Sequence, residues 1–222
     1  MYKALSYKEW LKVRWVVLGA LVVEVAVLIA LFIHLRAIIE FNKANVIWSY
    51  IVFRDYMFFD QIKYIPLLIG LATGIAQFYP EVQSSRLKLT LHLPLKENNT
   101  LLFMMATGFI YLLVMFLVFM GILYFGSSVV FASQITYAEF ITAVPWFLSG
   151  FAAYFLSAVI MVEPLWSRRI VLAVAGVSFI EQLMSGESYG EFKYVLLPFA
   201  LMTLVLSFLI ILSGFRFKRG AR

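Results

Sequence analysis

Cysteine is absent from the 222 residues, histidine occurs only twice, and just 14% of the side chains are charged. The first absence excludes disulfide staples and thiolate metal sites. The scarcity of charge is more telling, because an ordinary soluble domain carries about 25% charged and about 45–50% apolar residues. Here the apolar share is 64%. A chain of this length folded in water keeps too much surface exposed to hide so many Leu, Val, Ile and Phe side chains, so a soluble globule is excluded and lipid is the expected solvent. No HExxH run and no cysteine cluster occurs, and a metalloprotease or thiolate metalloenzyme would lack its parts. A non-catalytic chain that binds no cofactor or metal of its own is expected.

What is present is a series of long apolar runs. Crossing about 30 Å of hydrocarbon takes about 20 mainly apolar residues in a helix. Six windows come close: Trp15 to Leu35, Met57 to Tyr79, Leu101 to Phe125, Phe140 to Val162, Pro164 to Leu183 and Tyr194 to Phe215. The expected fold is an all-α integral membrane protein, a single transmembrane domain over 1–222 without an ATP-binding domain. The fifth window is the weakest, since Arg168 and Arg169 interrupt it. It either crosses with the arginines snorkelling or forms a re-entrant hairpin broken in the Gly186 to Gly190 stretch. The run from Trp15 is too long for the core of a cleavable export signal, so the first helix is expected to stay.

Basic residues gather on one side of this pattern. Thirteen of the eighteen Lys and Arg fall in the two terminal segments and in the loops around Arg86 and Arg168. The alternate loops hold the other five, Arg36, Lys43, Arg54, Lys63 and Lys193, against seven acids. Positive charge is retained in the cytoplasm, so both termini are expected inside, which requires an even number of crossings. The net charge of +6 therefore reports orientation in a cell-membrane, multi-pass protein and not a nucleic-acid partner.

Three features within this frame could carry function. Glu24 sits mid-way along the first run, where a carboxylate costs several kcal/mol and marks a pathway or an interior pairing. It is either a substrate or cation contact or a packing lock bonded to a hydroxyl such as Ser157, Thr203 or Ser207. Gly70 and Gly74 form a GxxxG pair, which admits a second backbone at close range. Residues 1–14, with Trp10, Leu11 and Val13 among four basic residues, suit either an interfacial helix or a plain anchor for the first run.

The most informative stretch is the connection FYPEVQSSRLKLTLHLPLKENNT, running from Phe78 to Thr100, with 80–99 as its core. Leu87, Leu89, Leu91 and Leu93 alternate with polar residues, which is a strand period. A lone strand has no pairing partner, however, and leucine favours helix, so a short helix from Glu81 to Leu93 is preferred, beginning after Pro80 and stopped by Pro94. Its leucines would offer apolar contact to a partner or to lipid headgroups.

This stretch resembles the loop between the second and third spans of the permease subunits of type-2 ATP-binding-cassette transporters, which are mostly exporters. There an acid is followed by a Ser/Gly-Arg-Leu stretch and a Leu-Pro pair, matched here by Glu81, Ser85, Arg86, Leu87, Leu93 and Pro94. Many members have a pair of acids where this chain has one, and the external segment between the first two runs is short. The resemblance implies a coupling helix over Glu81 to Leu93, Leu91 included, that docks on a separate ATP-binding cassette ATPase subunit holding ATP and Mg. It also implies a second permease copy or a homologous chain in the bilayer. No GxxxxGK[ST] phosphate loop occurs in the sequence, so the motor would come from that partner. The expected function is export of an amphipathic or hydrophobic substrate by alternating access. The competing expectation is an ion-coupled carrier or channel-like protein using Glu24, although the halves of the chain show no repeat of the kind carriers often have.

Overall fold

A computed structural model of the chain describes residues 2–42, 51, 56–83, 86–91 and 97–219. Every regular element among them is helical: α1 (Tyr2–Asn42), a 3-10 turn (Asp60–Ile62), α2 (Ile65–Gln83), α3 (Arg86–Leu91), α4 (Glu97–Ser128), α5 (Ser133–Val162), α6 (Trp166–Met184) and α7 (Leu196–Arg219). Five helical stretches are long and apolar enough to cross a membrane: Tyr2–Glu40, Asp60–Gln83, Glu97–Ser128, Ser133–Val162 and Leu196–Lys218. They make this a multi-pass membrane protein.

The distribution of apolar residues on α1 explains why lipid must surround it. Val13, Val17, Ala20, Leu28, Leu31 and Leu35 are buried along one stripe. Trp15, Val22, Val25, Ile29 and Ile33 point away from the protein and are exposed. A helix that is apolar on all sides yet covered on one is stable only where the other sides meet hydrocarbon. Residues 2–14 form the first turns of this same helix, whose 41 residues reach about 62 Å at ~1.5 Å per residue.

The central element is α5, which packs against α2, α4, α6 and α7. Its closest neighbour is α2, and the reason is glycine. A Cβ on Gly70 would meet the carbonyl oxygen of Gly150, and one on Gly74 would meet the Ser157 hydroxyl. The GxxxG pair is thus a helix contact within the chain, where two backbones touch and dispersion and packing replace the missing hydrophobic drive.

Contacts define two ends of the bundle. At the terminal end, Lys12 of α1 reaches Glu81 of α2, Glu163 at the close of α5 reaches Arg216 of α7, and Lys218 reaches Glu97 at the start of α4. At the far end, Phe59, Phe131, Trp146 and Tyr189 belong to one group of ring contacts, and Ser127 donates to Glu139. There Gly190, at φ 69°, turns its amide onto the Thr142 hydroxyl at 2.8 Å. A side chain would be strained in that left-handed conformation. α6 begins at the terminal end, where Arg169 Nε donates to the Glu163 carbonyl, and is followed directly by the far-end loop. It is one unbroken helix of 19 residues. Its Arg168, Arg169 and Glu181 interrupt it, so that the longest uncharged run it contains is residues 170–180.

Candidate functional site

The connection after α2 differs in detail from its expected form. Pro80 does not open a new helix; α2 continues through it to Gln83, and α3 is a separate helix of six residues, Arg86–Leu91. Proline in a helix removes one backbone bond. The last turn persists because Gln77, Phe78 and Glu81 are all buried there. The preference for helix over strand holds for Arg86–Leu91.

Glu81 is the hub of a buried ionic junction. It is 1% exposed, and its Oε1 lies 2.8 Å from Lys8 Nζ and 2.9 Å from Lys12 Nζ. Lys12 also lies 2.6 Å from Glu9 Oε1, an ion contact and not an aligned hydrogen bond. Glu9 is fully buried as well. Two ammonium groups therefore balance two carboxylates, and the junction is neutral as a unit. That balance is what makes burial tolerable, since an unpaired charge there would cost several kcal/mol.

Neutral groups carry the junction outwards. The Thr90 hydroxyl of α3 accepts from Lys8 Nζ at 2.9 Å and lies 3.3 Å from Glu81 Oε2. On the other side, Gln77 Nε2 donates to Glu9 Oε2 at 2.9 Å and to the Met104 carbonyl of α4 at 2.7 Å. Gln77 Oε1 accepts from the Tyr154 hydroxyl of α5 at 2.7 Å. A Cβ on Gly108 would strike both of those last two groups, so glycine there opens the room they occupy. One polar path thus joins α3, α1, α2, α4 and α5. A buried network of this kind, paired throughout by hydrogen bonds or ion contacts, is stiff, and the elements it joins shift together.

The other residues singled out from the sequence divide around this junction. Arg86 opens α3 and is exposed, Leu87 is fully buried beneath it, and Leu89 is 71% exposed. Only one of these two leucines is free to meet a partner. Leu91 ends α3, while Ser85, Leu93 and Pro94 lie outside the described residues. Glu24 stands apart, 3% exposed on α1 with Oε1 unpartnered. Ser157, Thr203 and Ser207 each donate to a carbonyl of their own helix, so none supplies the expected hydroxyl lock.

Sequence reasoning passed over Glu9, Lys12, Gln77 and Tyr154. One local signal was available: Gln77 and Glu81 stand four apart, on one face of α2. It also passed over GESYG at Gly186 to Gly190, which fits the GxSxG pattern of serine hydrolases. That pattern works as a strained turn between a strand and a helix. Here it lies in turns between α6 and α7, with the Ser188 amide bonded to Glu191 and no strand among the described residues. The geometry is not that of a nucleophile.

Compared with protein families, with characterised proteins and with solved structures, the chain matches none. The functional reading therefore rests on the junction and on what it connects.

Proposed function

We propose that this chain is the membrane-spanning permease subunit of an ATP-driven exporter of the type-2 ATP-binding-cassette kind, in the cell membrane with both termini in the cytoplasm. In this reading α6 is the sixth crossing. Support comes from its course between the two ends of the bundle and from its 19 residues, about 28 Å of helix. The observation that carries the proposal is the position of α3, a short helix between two crossing helices, held through Thr90 to a junction that reaches α1, α2, α4 and α5. A separate ATPase subunit pressing on α3 would move these helices together, and a second permease copy or related chain would complete the pathway.

The substrate class is argued from a cavity of about 620 Å³ between α2, α5 and α6. Leu67, Leu71, Leu156, Ile160 and Val177 line it, with Tyr64 and Glu181 towards the far end. Apolar walls with few polar groups favour an amphipathic or hydrophobic cargo. The test is purification of the tagged full chain from its own membranes. Wild type is expected to carry an ATP-hydrolysing polypeptide, and Arg86→Glu with Leu89→Asp to lose it with unchanged yield and thermal midpoint, because both side chains are exposed. A chain that never carries an ATPase, or a double variant that keeps it, contradicts the proposal.

One observation favours a second reading, an ion-coupled carrier: the unpartnered Oε1 of Glu24. It calls for uptake into liposomes driven by a proton or sodium gradient without ATP, abolished by Glu24→Gln.

A further inference from the structure

A second polar cluster at the terminal end takes no part in the junction. Glu163, fully buried at the close of α5, accepts through Oε2 from Ser213 Oγ and from Arg216 Nη1, each at 2.8 Å. Its backbone carbonyl accepts from Arg169 Nε at 2.6 Å. Arg168, one residue earlier, is exposed and has no ion pair among the described residues. Arg216 alone pairs with the carboxylate, Arg169 spends its Nε on a backbone carbonyl and Arg168 is unpaired among the described residues, which leaves two positive charges in excess.

The unpaired Arg168 sits at the mouth of a cavity of about 220 Å³ between α5, α6 and α7. Arg168, Arg216 and Ser213 stand at its rim, and Val171, Leu172 and Leu212 form its walls. The walls lie one turn along α6 and α7 from the arginines, towards the middle of the bundle. Trp166, 73% exposed and stacked under Arg169 at 5.1 Å, stands beside the rim as aromatic residues do at a membrane surface. Leu165 at the N-cap offers no side-chain acceptor, so the first-turn amides of α6 add their positive end to the same region.

We propose that this is a binding site for an anionic phospholipid of the leaflet at the terminal end, its phosphate held by Arg168 and Arg216 and one acyl chain lying on Val171, Leu172 and Leu212. Charge complementarity selects the headgroup, since basic pockets between membrane helices take acidic lipids. The apolar wall beneath selects a lipid over a free anion. Glu163 does not repel the phosphate, because it is buried behind Arg216 and neutralised by it. The site is independent of whether the chain transports anything.

The test uses the full chain in a nonionic detergent with tail-labelled phosphatidylglycerol and phosphatidylcholine as probes. Phosphatidylglycerol is expected to bind about five-fold better for each basic group it contacts. Arg168→Gln should lose about five-fold of that preference and Arg168→Lys keep it. Leu212→Trp, which fills the wall, should weaken both lipids while the thermal midpoint stays unchanged. The proposal is overturned if Arg168→Gln binds phosphatidylglycerol as wild type does, or if Leu212→Trp leaves lipid binding intact. It is overturned equally if inorganic phosphate displaces the lipid at matching concentration, which would mark a free-anion site, or if Arg168→Gln alters only self-association, which would mark a second copy as the occupant.

Discussion

Lys12→Met is expected to be among the most damaging single substitutions in the chain, lowering stability by about 3–5 kcal/mol in detergent unfolding. Lys12 is the ammonium shared by Glu9 and Glu81, and both carboxylates are almost wholly shielded from solvent. Without it the junction holds two carboxylates against Lys8 alone, and Glu9 keeps only the Gln77 amide. Because the fault is one of charge balance, Lys12→Met combined with Glu9→Gln should recover a large part of the loss, as Lys8 and Glu81 then match. Purely additive losses would show that the groups do not act as a unit. The exposed Arg36–Glu40 pair supplies the control: Glu40→Ala should cost less than about 1 kcal/mol.

Gly70→Ile and Gly74→Ile are expected to prevent α2 from seating on α5, so that little monodisperse protein survives extraction. At Gly70 the obstacle is the carbonyl of Gly150, which is backbone and has no rotamer to retreat into. At Gly74 the Ser157 hydroxyl can turn aside, yet the Tyr154 carbonyl remains 2.9 Å from the added carbon. Even Gly70→Ala should cost about 1–3 kcal/mol, the usual range for overpacking. Gly121 faces open space, and Gly121→Ala should be neutral or improve helix stability by up to about 1 kcal/mol. Equal behaviour at Gly70 and Gly121 in thermal unfolding would contradict the packing described.

What the sequence made legible follows the range of the forces involved. Hydropathy located the helices, because whether a segment prefers lipid is a property of that segment. The GxxxG pair was visible as a possibility, but only the contact at Gly150 says what fills the space beside Gly70. Glu81 stood out through the Arg86 and Leu87 pattern that follows it, while its partners did not. Lys12 lies 69 residues away, and Gln77 and Tyr154 are 77 apart. No local period encodes such pairings. The start of the loop helix was misplaced for a similar reason: Pro80 is a strong local punctuator, and the burial of Phe78 and Glu81 that overrides it is tertiary. The split between buried Leu87 and exposed Leu89 was equally out of reach, since the period of the leucines says nothing of which face is covered.

The position of α3 gives the most direct test of the proposed function, and the absence of native cysteine makes it simple. Leu89→Cys would be the only thiol in the chain, on an exposed side chain of α3. In sealed vesicles of known sidedness it is expected to react with a membrane-impermeant maleimide from the cytoplasmic face alone. In the intact complex it should be shielded from the reagent and should cross-link to the ATP-hydrolysing subunit. Labelling from the outer face, or unchanged reactivity with that subunit bound, would contradict the assignment of α3 as the element through which the motor acts.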